Sequence, residues 1–311
     1  MHHINKHLTG TINNQNINER LARLMEEVEQ DKDVQHFLKE HEDKLSEEDI
    51  LRSSSKLYEF VKEKEKFLSN DESMLAPGYE PKLFLNHRYI DVTYVPTEQL
   101  VKEQEENIIK RRVHAVSMPK DIRDATLSDF EVTNERKEAF SDAIQFINQY
   151  DTSPNVFHQG LYLYGTFGVG KTYLLGAIAN TLATRAHKTT LIHFPTFCVE
   201  MKQSIKTDTV QSKLNTIKKA PILMIDDIGA DSMSSWIRDD ILGVILQYRM
   251  QEELPTFFSS NLSMEQLENE HLRFSQKGED EPLKAMRIME RIRFLSKQVT
   301  MIGDNRRLYQ D

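Results

Sequence analysis

A glycine-rich loop at residues 165–172 constrains the fold of this chain more than any other stretch. It reads Gly-Thr-Phe-Gly-Val-Gly-Lys-Thr, which fills the phosphate-loop pattern G-x-x-x-x-G-K-[ST]. An apolar run precedes the loop and a helix-forming run follows it, a context that a chance glycine loop rarely has. Glycines let backbone N–H groups curve around a phosphate, and the following helix adds the positive end of its dipole. We therefore predict a nucleotide site.

The side chains that end this loop have separate expected roles. Lys171 reaches the terminal phosphates of the nucleotide, and the hydroxyl of Thr172 is a ligand of Mg²⁺. The predicted cofactors are ATP and Mg²⁺. The residues expected to bind the nucleotide are Gly165, Thr166, Phe167, Gly168, Val169, Gly170, Lys171, Thr172 and Tyr173.

Apolar runs and helix-forming runs alternate regularly after residue 160. Such alternation is typical of a parallel sheet with helices on both faces, in which ligands lie beyond the carboxyl ends of the strands. The predicted fold class is therefore α/β, a P-loop domain with a parallel five-stranded sheet. Its predicted strands are residues 161–164, 190–194, 222–226, 256–260 and 299–302.

Polar residues follow two of these predicted strands. Asp226 is expected to hold Mg²⁺, directly or through water, together with Thr172. Asp227 is the candidate for polarising the attacking water. Asn261 follows the next strand, where its amide can orient a water near the terminal phosphate, although Asn is also a common turn residue.

Arginines near the end of the sequence suggest a site shared between subunits. Arg287 and Arg291 are one helical turn apart and can face the same neighbour. A P-loop ATPase that works as an oligomer needs an arginine from a neighbouring subunit at the terminal phosphate. Arg307 can supply a second arginine within the same subunit. We therefore expect these arginines to be catalytic and the chain to self-associate into an oligomer.

The first third of the chain has a different character. Apolar residues at helical spacing between residues 18 and 61 predict short helices, one of them starting at a capping box of Ser46 and Asp49. Residues 83–85 and 89–94 read as two strands around a turn. Nothing here has catalytic or metal-ligand spacing, so we interpret the region as a docking domain.

These differences in sequence pattern along the chain predict a domain organisation in three parts. Residues 1–95 form the N-terminal docking domain. Residues 96–117 are charged and poor in large apolar side chains, which is typical of a linker or an exposed helix. Residues 118–311 form the nucleotide-binding domain.

Composition excludes several classes of protein. A net charge of -9 over 311 residues argues against a protein coated in positive charge for wrapping duplex DNA. The single cysteine, Cys198, excludes an intramolecular disulfide and a cysteine-cluster zinc site. Because no apolar stretch approaches the length of a membrane span and the polar start is not a signal peptide, we expect a cytoplasmic protein without membrane contact.

Together these motifs resemble those of AAA+ ATPases of the initiator clade. Within that clade they are most similar to the bacterial replicative helicase loaders of the DnaI and DnaC families. The resemblance covers about residues 110–311 with specific motifs, and residues 1–95 by architecture and a Gly-Tyr-Glu-Pro-Lys stretch. The motifs are the phosphate loop, a Met-Pro-Lys lead-in (118–120), Ile-Asp-Asp-Ile-Gly (225–229), Ser-Ser-Asn (259–261), Arg-Ile-Met-Glu-Arg (287–291) and Gly-Asp-Asn-Arg-Arg (303–307).

The resemblance implies an ATP-dependent loader that delivers the hexameric replicative helicase onto single-stranded DNA during initiation or restart of replication. The N-terminal domain would bind the helicase, and an AAA+ domain without a C-terminal lid would contact DNA and neighbouring loaders. The implied site residues are a Walker A loop at 165–172, Walker B residues Asp226 and Asp227, a first sensor at Asn261, an arginine finger at Arg291 with Arg287 beside it, and a second sensor at Arg307.

The sequence departs from the family pattern at two places. AAA+ proteins usually carry Glu where this chain has Asp227, so slow, switch-like hydrolysis is a reasonable hypothesis. Some family members hold zinc with cysteines in the N-terminal domain. Residues 67–78 contain no cysteine here, so we predict that zinc is absent.

Single-stranded DNA binding requires a basic track and a stacking residue. The segment after the second predicted strand offers five lysines and one aromatic residue, although a solvated helical face explains them equally well. The residues are Lys202, Lys206, Lys213, Lys218 and Lys219, with Phe197 nearby.

Two other functions remain open on the sequence. A transposition helper ATPase has a closely similar second domain, but it should lack the hairpin-bearing module at residues 1–95. A non-hydrolysing adaptor would use the nucleotide only to switch a binding surface. Measured turnover separates the adaptor from the ATPase.

Overall fold

The structure is a computed structural model that describes residues 26–116, 120–230, 233–274 and 279–306. The chain divides into two compact units, residues 1–106 and 107–311. The division falls inside the segment that the sequence predicted as a linker. Within the described residues, no helix is long and apolar enough to cross a membrane.

The first unit contains short helices and one hairpin. Helix α1 begins after Asp31, whose carboxylate accepts hydrogen bonds from the N–H groups of Asp33 and Val34. The capping box of Ser46 and Asp49 is present as predicted and starts α2. The elements are α1 (Lys32–Glu40), α2 (Glu47–Arg52), α3 (Ser54–Ser69), and the antiparallel strands β1 (Tyr79–Asn86) and β2 (Tyr89–Pro96).

A small hydrophobic core holds this first unit together. The buried hydroxyl of Ser53 accepts a hydrogen bond from the N–H of Ile90 and so ties the helices to the hairpin. Phe84 and Tyr89 lie on the outer face of the hairpin and are exposed. The core residues are Val28, Val34, Leu57, Phe60, Val61 and Ile90. Most of the predicted first helix, residues 18–25, lies outside the described residues.

Helix α4 (Glu98–Arg112) follows the hairpin, and none of its described residues is buried. This agrees with the exposed-helix alternative for the predicted linker. The helices that follow in the described part of the second unit are α5 (Lys120–Arg123), α6 (Lys137–Thr152), α7 (Lys171–Thr184), α8 (Phe194–Ser204), α9 (Val210–Lys218), α10 (Gly243–Gln251), α11 (Met264–Gln266) and α12 (Pro282–Leu295). Two π-helical segments, Trp236–Leu242 and Leu267–Leu272, precede α10 and follow α11.

The second unit is built on a parallel sheet of six strands, in the order β3-β5-β6-β7-β4-β8. The parallel α/β architecture is confirmed, but the predicted count of five strands is wrong. The extra edge strand β3 has only four residues and directly follows a charged helix, so it gave no apolar run to recognise. The strands are β3 (Val113–Val116), β4 (Gly160–Tyr164), β5 (Thr189–His193), β6 (Ile222–Asp226), β7 (Thr256–Ser260) and β8 (Ser296–Thr300).

Helices cover both faces of this sheet, and each face has its own core. Successive residues of β6 alternate between the cores: Met224 packs with α6 and α7, and Ile225 packs with α8, α9, α10 and α12. Strand β4 lies between β7 and β8, with Tyr164 opposite Ser260. On the neighbouring pair, Asp226 is opposite His193. The carboxyl ends of these strands therefore meet at one edge of the sheet.

Candidate nucleotide site

The phosphate loop connects β4 to α7 and has the backbone that its glycines permit. Gly168 and Gly170 have φ values of 75° and 97°, which is the left-handed region that favours glycine. A Cβ atom at Gly168 would lie 1.8 Å from Oδ1 of Asn305, so a side chain at this position would collide with the segment after β8. The backbone is therefore shaped as a cradle in front of the first turn of α7.

Lys171 begins α7 and is nearly buried, with 7% of its surface exposed. Its ammonium group donates to the carbonyl oxygens of Gly165 and Thr166, both at 2.8 Å, and to Oδ1 of Asn261 at 2.7 Å. The structure therefore brings together Lys171 and Asn261, which are distant in sequence. A phosphate bound in the loop would replace these neutral oxygens as the acceptor of the ammonium group, because a charged acceptor makes the stronger hydrogen bond.

Asp226 ends β6 and lies beside Thr172. The Thr172 hydroxyl donates to Oδ1 of Asp226 at 2.9 Å, and the Ser259 hydroxyl donates to the same oxygen at 2.5 Å. Burial raises the pKa of the Asp226 carboxyl above its ordinary value, while the hydrogen bonds from Ser259 and Thr172 oppose that increase. A cation next to Asp226 would stabilise the ionised form of this buried carboxyl group.

The residues present fit a magnesium ion bound together with a nucleotide. Mg²⁺ usually takes one or two carboxylates, substrate phosphates and water rather than a cage made only of protein groups. Thr172 and Asp226 supply one hydroxyl and one carboxylate at hydrogen-bond distance from each other. Over the described residues, no cluster of three or more His, Cys, Asp or Glu is arranged to hold a metal without such phosphates.

Asp227 follows directly and has an unusual backbone for a residue other than glycine, with φ 59°. Its N–H donates to Oγ of Ser259 at 2.9 Å, and its Oδ1 accepts from Nδ2 of Asn261 at 3.4 Å. The Nε2 atom of His193 lies 3.9 Å from Oδ2 of Asp227. Asp227 thus lies beside the predicted sensor Asn261, at the same edge as the phosphate loop.

Of the three arginines predicted as catalytic, the two on α12 differ in their surroundings. Arg287 on α12 is exposed. Arg291 is half-buried, and its Nη1 donates to the carbonyl oxygen of Gly243 at 2.9 Å. Burial and the neighbouring Arg287 lower the pKa of Arg291. Arg307, like the lead-in residues Met118 and Pro119, lies outside the described residues.

The structure contradicts one part of the predicted single-stranded DNA track. Phe197 is 2% exposed and packs in the core, so it cannot stack on a base, because the apolar face of α8 turns toward the sheet. Lys213 is 3.9 Å from a carboxylate oxygen of Glu200, and Lys218 lies over the ring of Tyr248. Lys202, Lys206 and Lys219 are exposed.

Four contacts of the site were absent from the sequence prediction. Ser259 hydrogen-bonds both Asp226 and Asp227, and its place in a Ser-Ser-Asn strand end was the available signal. The N–H of Arg306 donates to the Gly168 carbonyl oxygen at 3.1 Å. The buried Arg136 lies beside Gly170. The last two pair positions far apart in sequence, which no local pattern reveals.

Both units match known families. Residues 1–94 match the model for the N-terminus of primosomal protein DnaI, and residues 123–277 match the model for the bacterial DnaA ATPase domain. The chain is 39% identical to the replicative helicase loader DnaI of Bacillus subtilis (strain 168) over 314 residues, or 99% of this chain and 99% of that protein. This chain belongs to the DnaI family of replicative helicase loaders.

Solved structures similar to the chain support the same DnaI assignment. A DnaI crystal structure is 45% identical with a TM-score of 0.56, and it covers 62% of this chain and 98% of its own. A proposed primosome component of Streptococcus pyogenes serotype M3 is 41% identical with a TM-score of 0.53, covering 65% of this chain and 98% of its own. The second unit is thus an AAA+ domain, as the motifs predicted.

Proposed function

We propose that this chain loads the replicative DNA helicase during DNA replication, using an ATP-dependent AAA+ unit to deliver the helicase onto single-stranded DNA. The observation that carries the proposal is similarity along the whole chain to a replicative helicase loader. A match confined to the AAA+ unit would suit many functions, because one fold serves many activities.

The N-terminal unit is the proposed helicase-binding part. Residues 1–94 match a family model specific to DnaI, and a transposition helper ATPase gives no reason for such a unit. Phe84 and Tyr89 on the outer face of the hairpin are candidates for the contact surface, because aromatic side chains are enriched in protein interfaces.

The AAA+ unit is the proposed ATPase. Its chemistry would use Lys171 and the loop N–H groups on the phosphates, and Thr172 with Asp226 on Mg²⁺. Asp227 and Asn261 are the proposed groups at the attacking water. Arg287 or Arg291 of a neighbouring copy would complete the site, so hydrolysis requires self-association on the helicase.

A loading assay tests the function with the full chain. The replicative helicase of the same organism is mixed with circular single-stranded DNA, with or without the chain and MgATP, and helicase retained on the circles is measured after gel filtration. We expect retention only when the chain and nucleotide are both present. Equal retention without the chain would rule out loading.

A matched pair of variants separates nucleotide binding from hydrolysis. Lys171→Ala should abolish loading, because it removes the charge that holds the phosphates. Asp227→Ala should retain MgATP binding and lose turnover. If it loads helicase as well as the unchanged chain does, the nucleotide acts as a switch without hydrolysis, and the adaptor reading replaces the ATPase reading.

Binding of single-stranded DNA is proposed for the exposed lysines of the AAA+ unit. Replacing Lys202, Lys206 and Lys219 together by Gln should lower both the affinity for a labelled oligonucleotide and its salt dependence. Unchanged affinity would remove these lysines from the DNA path. The same substitution at Lys62, on the N-terminal unit, is the control.

A further inference from the structure

Three neighbouring strands of the parallel sheet begin side by side at the edge opposite to the nucleotide site. In the pairing of β3 with β5 and of β5 with β6, Val113 lies opposite Thr189, and Thr189 lies opposite Ile222. Each of these residues is the first of its strand. Because parallel strands run in one direction, the residues just before them lie along the amino edge of the sheet.

One exposed basic side chain precedes each of these three strands. Arg111 is two residues before β3, Lys188 directly precedes β5, and Lys219 is three residues before β6. None of the three makes an ion pair with another residue that the structure describes. Neighbouring strands lie about 4.8 Å apart, so these positions follow the sheet over roughly 10 Å. We call Arg111, Lys188 and Lys219 the amino-edge row.

The acidic groups near this edge do not neutralise the row. Asp151, near the end of α6, lies 3.3 Å from Nη1 of Arg185 and 2.9 Å from Nε2 of His187. Glu252 and Glu253 follow α10 and precede β7, so the positive row stops before that strand. The row is therefore a local strip of positive charge on a chain whose net charge is -9.

A buried guanidinium adds positive charge beneath the same edge. Arg249 is fully buried, and its hydrogen bonds to the described residues all go to neutral oxygen atoms at 2.6 to 3.1 Å. The acceptors are the carbonyl oxygens of Lys218, Ala220 and Pro255 and the hydroxyl of Thr256. Burial lowers the pKa of Arg249 to about 9, so the group keeps its charge at neutral pH.

The backbone that carries the row is held in place before any ligand arrives. Nη1 of Arg112 donates to the carbonyl oxygen of Ala183 at 2.9 Å, which ties the start of β3 to the end of α7. Lys188 and Lys219 lie on short connections into β5 and β6, whose first residues are paired in the sheet. A ligand would therefore meet cations whose spacing is already set.

A line of cations at strand spacing fits an extended polyanion. The phosphates of a single nucleic-acid strand follow one another along the backbone and are neutralised by such cations in turn. A duplex carries one negative charge per about 1.7 Å of its axis, and the acidic remainder of this chain would repel it more strongly. The charge pattern therefore favours a single strand.

We propose that the amino-edge row is a binding site for the phosphate backbone of single-stranded DNA. The inference rests on the proposed function, which makes single-stranded DNA the target of the AAA+ unit. It assigns the contact to a different surface from Lys202 and Lys206 on α8. Contacts to phosphates carry no sequence information, so binding at the row is independent of base sequence. Lys219 belongs to both sets of lysines and is left unchanged in the tests.

Doubly substituted full chains, saturated with MgATP, test the row. Arg111→Gln with Lys188→Gln should weaken binding to a labelled oligothymidylate about tenfold. It should also reduce the slope of log affinity against log salt by about 1.4, since each phosphate contact contributes about 0.7. Lys32→Gln with Lys39→Gln, on exposed positions of α1, makes the same change in net charge and is the matched control. The control should change neither quantity.

Two further pairs of substitutions distinguish charge from shape and the row from α8. Arg111→Lys with Lys188→Arg keeps both charges and should bind within about twofold of the unchanged chain. A loss as large as that of the Gln pair would contradict a site that recognises charge. Lys202→Gln with Lys206→Gln should have the smaller effect, and the proposal is overturned if this pair loses the affinity while the row pair retains it.

The competing ligands give distinct results. If the row pair binds a duplex more weakly but binds the single strand normally, the row belongs to duplex DNA and the proposal is wrong. Unchanged DNA affinity together with weaker binding to the replicative helicase would assign the row to an acidic protein surface instead. If the unchanged chain bound no oligonucleotide, the DNA contact of the proposed function would fail together with the row, whereas normal binding that the row pair does not alter removes the row alone.

Discussion

Lys171 and Arg287 are both basic residues predicted to act on the same phosphates, but they differ in burial and in hydrogen bonding. Lys171 is nearly buried and has acceptors at 2.7 and 2.8 Å within its own chain. Arg287 is exposed on α12, and its neighbour Arg291 donates to a backbone carbonyl at Gly243. The predicted phosphate-binding lysine is already held in place within one chain, whereas the predicted finger residue Arg287 is exposed.

This contrast between Lys171 and Arg287 suggests that nucleotide binding and hydrolysis have different requirements. Binding should be a property of the single chain, because its groups are already held in place by the sheet edge. Hydrolysis should depend on a second copy, because an arginine finger that acts in trans comes from a neighbouring chain. The two sides of this division can be tested separately.

The largest effect is expected for Arg287→Ala, because Arg287 is exposed whereas Arg291, which the family resemblance implied as the finger, is half-buried. Losing an arginine finger lowers turnover by about a thousandfold, while single-chain MgATP affinity should stay within about twofold. Turnover is measured against protein concentration, and the unchanged chain should show a steeper than linear increase. Arg291→Ala should have the smaller effect, since Arg291 is tied to Gly243.

Arg293→Ala is the matched control on the same helix, because that arginine pairs with Glu268 of its own chain. It should leave turnover unchanged. Turnover strictly proportional to protein concentration would contradict this division, because a single chain would then hydrolyse ATP without a second copy.

Lys171→Ala should have the next largest effect, this time on binding. Removing a charge-assisted contact to phosphate costs about 3 kcal/mol, or about a hundredfold in MgATP affinity. Calorimetry on the full chain measures it, with Lys188→Ala, after the end of α7, as the control. If Lys171→Ala lowers the MgATP affinity only at concentrations where the chain self-associates, nucleotide binding also depends on the oligomer.

The pH dependence of binding should follow Asp226. Mg²⁺ needs the ionised carboxylate, and burial raises the pKa of Asp226, so affinity should fall on acidification at a higher pH than for an ordinary aspartate. Ser259→Ala removes a hydrogen bond that lowers this pKa and should move the midpoint further upward. Ser212→Ala, on α9, is the control. A midpoint that does not move in Ser259→Ala would contradict the assignment.

The smallest expected effect concerns stability. Because the folded-state pKa of Asp226 is raised above its unfolded value, the folded chain holds this proton more tightly, and ionisation at neutral pH opposes folding. Asp226→Asn should therefore raise the free energy of unfolding of the nucleotide-free chain by about 1 kcal/mol while abolishing MgATP binding. Thermal melting measures it, and a lower melting temperature would be the contrary result. Asp227→Asn, at a half-buried carboxyl group, is the comparison.

The parts of the site that sequence could predict are those encoded by local patterns. The phosphate loop, Asp226 and Asn261 end apolar strands, and parallel strands bring such ends to one edge. Strand β3 was missed because four residues carry too little periodicity to read. Phe197 was misplaced because a short helix with mixed residues does not show which face is buried. The approach of Arg136 and residues 303–306 to the loop depends on tertiary packing, which leaves no local signal.

The backbone at Asp227 has a consequence for what this position can become. Left-handed φ values are tolerated by Asp and Asn several-fold better than by most residues, and others pay about 1 to 2 kcal/mol for them. Lengthening the carboxylate to Glu would therefore strain the turn between β6 and the rest of the sheet edge, besides moving the charge. The main-chain path at this position therefore favours a short acidic side chain over a longer one.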